Sequence, residues 1–150
     1  MKKIVLIALL FVVAVAEMNA QTYEYKIVTS IESVVPMGLG RSRIISEDED
    51  KNYQDFTTER SEESKKQNKS KRGDAKVDNF EETKLVNFYS AAGINFQNVA
   101  SNDALISSKI NTMISEGWDL AFVTSAVESD GGKGDGKGIF ITRFIFKKLK

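Results

Sequence analysis

Residues 101–127 read SNDALISSKINTMISEGWDLAFVTSAV, and the fold turns on how this stretch is taken. Leu105, Ile106, Ile110, Met113 and Ile114 recur at spacings that place them on one stripe of a helix, with polar residues opposite. Ser101, Asn102 and Asp103 stand before the stripe, and any one of them can accept a hydrogen bond from the unpaired N–H groups of a first helical turn. Gly117 falls where the chain must turn left-handed to leave the helix, and Trp118 takes the next position, where an apolar residue folds back on the last turn. The spacing predicts a helix over 103–116, with Gly117 as its stop and Trp118 as its anchor. The apolar residues of 120–127 fall on both alternating faces, the pattern of a central strand.

Toward the carboxyl end, the glycine-rich turn SDGGKGDGKG at 129–138 leads into 139–147, which is β-branched and aromatic. The two strands should form a hairpin with a long tip. Toward the amino end, 22–32 alternates as a half-buried strand does, with Tyr23, Tyr25, Ile27 and Ile31 on one side and Glu24, Lys26, Ser30 and Glu32 on the other. Pro36, Gly38 and Gly40 interrupt the alternation and 41–45 resumes it, giving an irregular hairpin. Its apolar loop, with Val34, Val35, Met37 and Leu39, is either tucked onto the domain or offered to a partner.

Charged residues dominate 47–84, where Tyr53, Phe56, Val77 and Phe80 show no period, so this stretch is expected to be a disordered, solvated insertion. Within it an acidic run, Glu47, Asp48, Glu49 and Asp50, precedes a basic cluster at Lys65, Lys66, Lys69, Lys71 and Arg72. Residues 85–90 and 93–99 can pair as short strands, or 84–92 can form a helix; the pattern leaves both open.

At 150 residues the chain is about one domain long. Lys2 and Lys3 precede an apolar run at 4–16 and small residues follow, the three-part pattern of a secretory signal over 1–20. Cleavage is expected after Ala20, with Ala16 as the alternative, leaving 21–150 as a single domain with no membrane span. A periplasmic or secreted location follows. The absence of cysteine means an exported core must hold without disulfides. Removing Lys2, Lys3 and Glu17 from the 21 basic and 21 acidic side chains leaves 19 and 20, so no global field draws the protein to nucleic acid.

The chemistry is bounded mainly by exclusion. Histidine is absent, which removes Ser-His-Asp and Cys-His nucleophile systems and histidine-ligated zinc, and no cofactor or metal is expected. Gly131, Gly136 and Lys137 have the spacing of a phosphate loop, but Gly138 stands where Ser or Thr would hold magnesium and a strand follows where a helix should. Carboxylate pairs or a Ser-Lys dyad leave a cell-envelope hydrolase as the alternative to a non-catalytic module. The binding candidates are Met37 and Leu39 beside Arg41 and Arg43, apolar anchors ringed by arginine as in interface cores, with Arg143 able to join them toward an anion.

Tyr23-Glu24-Tyr25-Lys26-Ile27-Val28, the helix exit Glu116-Gly117-Trp118-Asp119-Leu120, and a glycine turn before a strand bearing Arg143 together resemble the small bacterial domain of unknown function, type four-one-seven-seven. The resemblance covers the first strand and 101–147. It implies a strand-helix-strand-strand domain with no assigned activity, cofactor or catalytic residue. The signal-like amino end and the long insertion depart from that pattern.

These readings combine into an α+β domain. An antiparallel sheet of 23–32, 41–45, 120–127 and 139–147 carries one helix on one face. Val28, Val123 and Phe140 are expected on the other face, inviting a second layer from 85–99 or from a second subunit in a homodimer. The function expected is that of an exported binding or scaffold module for a protein or an envelope component.

Overall fold

The computed structural model describes residues 21–34, 42–62, 68–90, 92–128 and 138–150. Its elements in chain order are β1 (Tyr23–Ser33), β2 (Arg43–Glu47), a single 3-10 turn (Tyr53–Phe56), β3 (Phe80–Lys84), β4 (Tyr89–Ser90), β5 (Gly93–Ile94), α1 (Phe96–Ser115), β6 (Asp119–Val127) and β7 (Ile139–Leu149). Five strands form one sheet in the order β3-β2-β1-β7-β6, and β4 and β5 form a small hairpin of their own. Every pairing is antiparallel. The fold is α+β, a sheet carrying one main helix.

The centre of the sheet is β1 against β7, paired from Tyr23–Leu149 to Ser33–Ile139. β7 earns that position by being apolar on both faces: Phe140, Phe144 and Phe146 alternate with Ile139, Ile141 and Ile145. The run 120–127, expected in the middle, is instead the edge strand β6, and all nine of its residues are exposed. Alternation on both faces is needed by a central strand, but β7 meets that need with larger side chains. β6 follows α1 after a tight turn and is left outermost.

α1 begins at Phe96, seven residues before the predicted start, because Asn95 is the cap: its side chain accepts from the N–H groups of Gln97 and Asn98 at 3.1 and 3.2 Å. None of Ser101, Asn102 and Asp103 serves as that cap. Asn102 lies within the helix and is fully buried. The helix stripe that reaches the core is Asn102, Ile106, Ile110 and Met113, while Leu105 and Ile114 remain exposed. The exit is as the spacing predicts. Gly117 has φ +88°, its N–H bonds Ile114 C=O at 3.0 Å, and Trp118 N–H bonds Met113 C=O at 3.1 Å, so the last carbonyls are satisfied by a left-handed glycine turn. Trp118 packs against the core, and Lys148 Nζ sits 5.6 Å from its ring centroid while donating to Glu116 C=O at 2.9 Å.

The core lies between α1 and one sheet face: Val28, Ile44, Phe144 and Phe146 from the strands, Leu85 from the segment after β3, and Met113 from the helix. Val28 therefore faces the helix. By register so do Val123, opposite Phe144, and Phe140, whose ring meets Phe88 at 5.9 Å. The expectation that these three mark the uncovered face is corrected, because a period of two tells which residues share a face and not which face a helix takes. Ser30 and Ser46 beside Val28 are small enough to let the helix approach closely, and both are buried.

The charged stretch contributes more order than its composition suggests. Its last five residues are β3, hydrogen-bonded to β2, and Lys109 of α1 reaches Glu81 of β3 at 2.6 Å. The acidic run is tied back through Glu49, whose carboxylate accepts from Asn79 Nδ2 at 2.6 Å. Between β3 and α1 the strand reading holds in part, as β4 and β5, with Gly93 at φ +112° turning the hairpin. No helix among the described residues is long and apolar enough to cross a membrane.

Candidate functional site

The face of the sheet opposite α1 carries the odd-numbered residues of β1, β2 and β7, and it mixes large apolar side chains with charged ones. One row across the strands reads Phe80, Glu47, Ile27, Ile145, Phe122, since Glu47 pairs with Phe80, Ile27 with Ile145, and Ile145 with Phe122, and Glu47 stands one step beyond the Val28–Ser46 pair. The next row reads Glu82, Ile45, Thr29, Arg143, Thr124. A third reads Lys84, Arg43, Ile31, Ile141, Ala126. Tyr25, Ile27, Phe80 and Phe122 are exposed by 64, 42, 49 and 62 %, so large apolar side chains stand in solvent at the middle of the face and at both rims. Ile27, Thr29, Ile45, Glu47, Val77 and Phe80 line a shallow groove on its β3 side. Soluble monomers seldom leave a contiguous apolar patch of this kind uncovered.

The charges on this face are partly neutralised within the chain. Arg43 Nε meets Glu82 Oε1 at 2.5 Å and Arg43 Nη1 donates to Ser42 C=O at 2.8 Å. Lys147 lies 4.9 Å from the ring centroid of Tyr23. Arg143, between Thr29 and Thr124, and Glu47, beside Ile27, form no ion pair with any described residue. Among the described residues the face thus offers apolar area with Arg143 and Lys147 as cations on the β7 side of β1, Lys84 at the β3 rim, and Glu47 as an anion without an ion pair on the β2 side.

β6 adds a second open element. It is an outer strand of nine residues with no charge between Asp119 and Glu128, and a bulge at Leu120/Phe122 twists its start. Edge strands of that length are usually guarded by lysine or proline, which β6 lacks.

At the end of α1 nearer its start, a polar cluster fixes the loops. Asn102 bonds both backbone groups of Val86 and donates to Glu32 Oε1 at 2.8 Å. Asn98 donates to Asn87 C=O at 2.8 Å, and Ser42 Oγ donates to Asn87 Oδ1 at 2.9 Å while accepting from Ser33 N–H at 3.0 Å. Burial pushes the Glu32 carboxyl above its ordinary value; the Asn102 hydrogen bond opposes the rise and the charge of Asp103 adds to it. Glu81 is held below the ordinary value by its hydrogen bond and charge attraction to Lys109. Each of Glu32, Ser42, Asn87, Asn98 and Asn102 has a hydrogen-bond partner within the chain.

Of the binding residues proposed from sequence, Met37, Leu39 and Arg41 lie outside the described residues, as does 129–137 with its glycines and Lys137. Arg43 and Arg143 share the open face, but β1 runs between them and Arg43 is bound to Glu82, so the two do not converge on one anion. Gly117 and Trp118 have the structural roles expected of them. Among the described residues no group of three or more Asp, Glu, Cys or His side chains is placed to hold a metal ion. The face residues Ile27, Ile45, Phe80, Phe122 and Ile145 were missed as a site, although the alternation of 22–32 carried the signal. No protein-family model, curated protein or solved structure matches the chain.

Proposed function

We propose that this protein is an exported, non-catalytic binding or scaffold module whose working surface is the open sheet face. The observation that carries the reading is the row Phe80, Glu47, Ile27, Ile145, Phe122, in which four large apolar side chains cross the sheet, interrupted only by Glu47 on β2, on the side that α1 leaves bare. Such a band lowers solubility unless it is covered, and covering it is binding. The lack of histidine and cysteine, and a titratable cluster at Glu32 whose members are all engaged in holding loops, support a role without catalysis. Export to the periplasm or cell exterior rests on the signal-like pattern of 1–20.

The experiment is a comparison of the protein with Ile27→Glu, which places a charge at the middle of the band and leaves the helix-side core untouched. Association, whether with itself or with an envelope component, should fall at least tenfold while the folding midpoint holds. Association that persists, or turnover of a glycan or peptide by the purified protein, overturns the reading.

A further inference from the structure

We infer that the occupant of the open face is a second copy of this chain, docked sheet to sheet about a two-fold axis that runs along β1. The inference rests on the reading of that face as a binding surface and says what fills it.

Size is the first argument. Strands about 4.8 Å apart with a rise of about 3.3 Å per residue give this face a flat area of roughly 600 Å², and more once side-chain relief is included. That is of the order of the ~800 Å² per partner in an interface of standard size. Two such faces stack about 10 Å apart in an aligned sandwich, burying the apolar rows of both.

Self-complementarity is the second argument. Rotation about an axis along β1 lays β7 over β2 and β6 over β3 of the second copy, since β1 has β2 on one side and β7 on the other, with β3 and β6 outside them. In the row Phe80, Glu47, Ile27, Ile145, Phe122 this sets Ile27 against its own copy on the axis and Phe122 against Phe80 at both rims. The charges fit as well. Arg143 lies one row from Ile145, and Ile145 sits over Glu47 of the second copy, an offset of about 7 Å along the strand that an arginine side chain spans. Arg143 and Glu47, which form no ion pair among the described residues, therefore meet across the interface, twice, as an isologous contact requires. A partner of unrelated sequence would need that spacing by coincidence; a second copy has it by symmetry.

The test is sedimentation velocity on the purified protein, with helix content and Trp118 emission as controls for folding. The protein should sediment as a dimer at micromolar concentration. Ile27→Glu should give a folded monomer. Arg143→Glu and Glu47→Arg should each weaken the dimer at least tenfold, and the double variant carrying both should regain most of the loss. A monomeric native protein overturns the inference but leaves the binding reading standing if Ile27→Glu still abolishes capture of an envelope component. A dimer that survives Ile27→Glu, or a double variant no tighter than its parents, also overturns it, by placing the interface elsewhere. If native protein is monomeric and Ile27→Glu unfolds it, the face is covered by the chain's own residues, and both the inference and the reading beneath it fall.

Discussion

Asn102 holds Val86 by both of its backbone groups: its side-chain oxygen accepts from Val86 N–H at 2.8 Å and its nitrogen donates to Val86 C=O at 2.8 Å. One side chain thereby does for the strand-free segment 85–87 what a neighbouring strand would do. The same residue donates to Glu32 on β1, so the helix, the segment after β3 and the central strand meet at a fully buried amide.

Asn102→Leu should accordingly destabilise the protein by about 2 kcal/mol, because two part-buried backbone groups of Val86 lose their partners at roughly 1 kcal/mol each. Chemical denaturation measures it. A loss below about 0.5 kcal/mol would mean that water replaces the amide without cost.

Glu32 gives the protein a pH dependence of known sign. Its carboxyl is pushed above the ordinary value in the folded state, so the folded protein holds a proton more tightly than the unfolded chain. Stability from this group is fully present below the unfolded value near 4.5 and is lost as pH rises through the folded value. Glu32→Gln, which keeps an acceptor for Asn102, should flatten that part of the profile and raise the midpoint at neutral pH. A profile unchanged by the substitution would show that the carboxyl is solvated.

Ser30 and Ser46 are buried on either side of Val28, and neither Oγ has a hydrogen-bond partner among the described residues. Their size suits the helix approach, but their hydroxyls are not needed for it. Ser46→Ala should stabilise by about 1 kcal/mol, the lower end of the cost of an unsatisfied buried polar group. Destabilisation would reveal an ordered water bonded to Oγ.

At the helix exit, Gly117→Ala should cost about 1 kcal/mol from the left-handed backbone alone, since an added Cβ would meet Lys148 Cε at an ordinary 3.5 Å. Trp118→Ala should cost about 3 kcal/mol, the low end for a large aromatic because Trp118 is only partly buried, and Trp118→Phe much less. Equal small losses at Trp118 would mean that the ring does not support the core.

The legible parts of this fold are those written in local chemistry. Gly117 and Trp118 mark a helix end because a left-handed glycine followed by an apolar fold-back comes directly after the apolar stripe, and the antiparallel pairings of 120–127 with 139–147 and of 22–32 with 41–45 follow from two β-patterned runs joined by glycine-containing turns. What was not legible depends on tertiary choice. Val28 faces the helix and Ile27 does not because α1 packs on the side where Ser30 and Ser46 leave room, a fact of the assembled sheet. From sequence Asn102 is one of three residues, with Ser101 and Asp103, that could cap the helix, and only its hydrogen bonds to Val86 reveal its role. β3 emerged from charged sequence because its partner β2 supplies the pairing and Lys109 neutralises Glu81, neither of which alternation can show.

The central claim, that the open sheet face is an interface, is tested most directly by isoleucine methyl NMR with a soluble paramagnetic probe. Ile106 and Ile110, under the helix, should be protected at every concentration. Ile27 and Ile145 should be protected in concentrated protein and become accessible on dilution or in Ile27→Glu, for which Ile145 is the reporter. Methyls of Ile27 and Ile145 that relax at the rate of a solvent-exposed group at all concentrations, with and without envelope extract, would contradict the account.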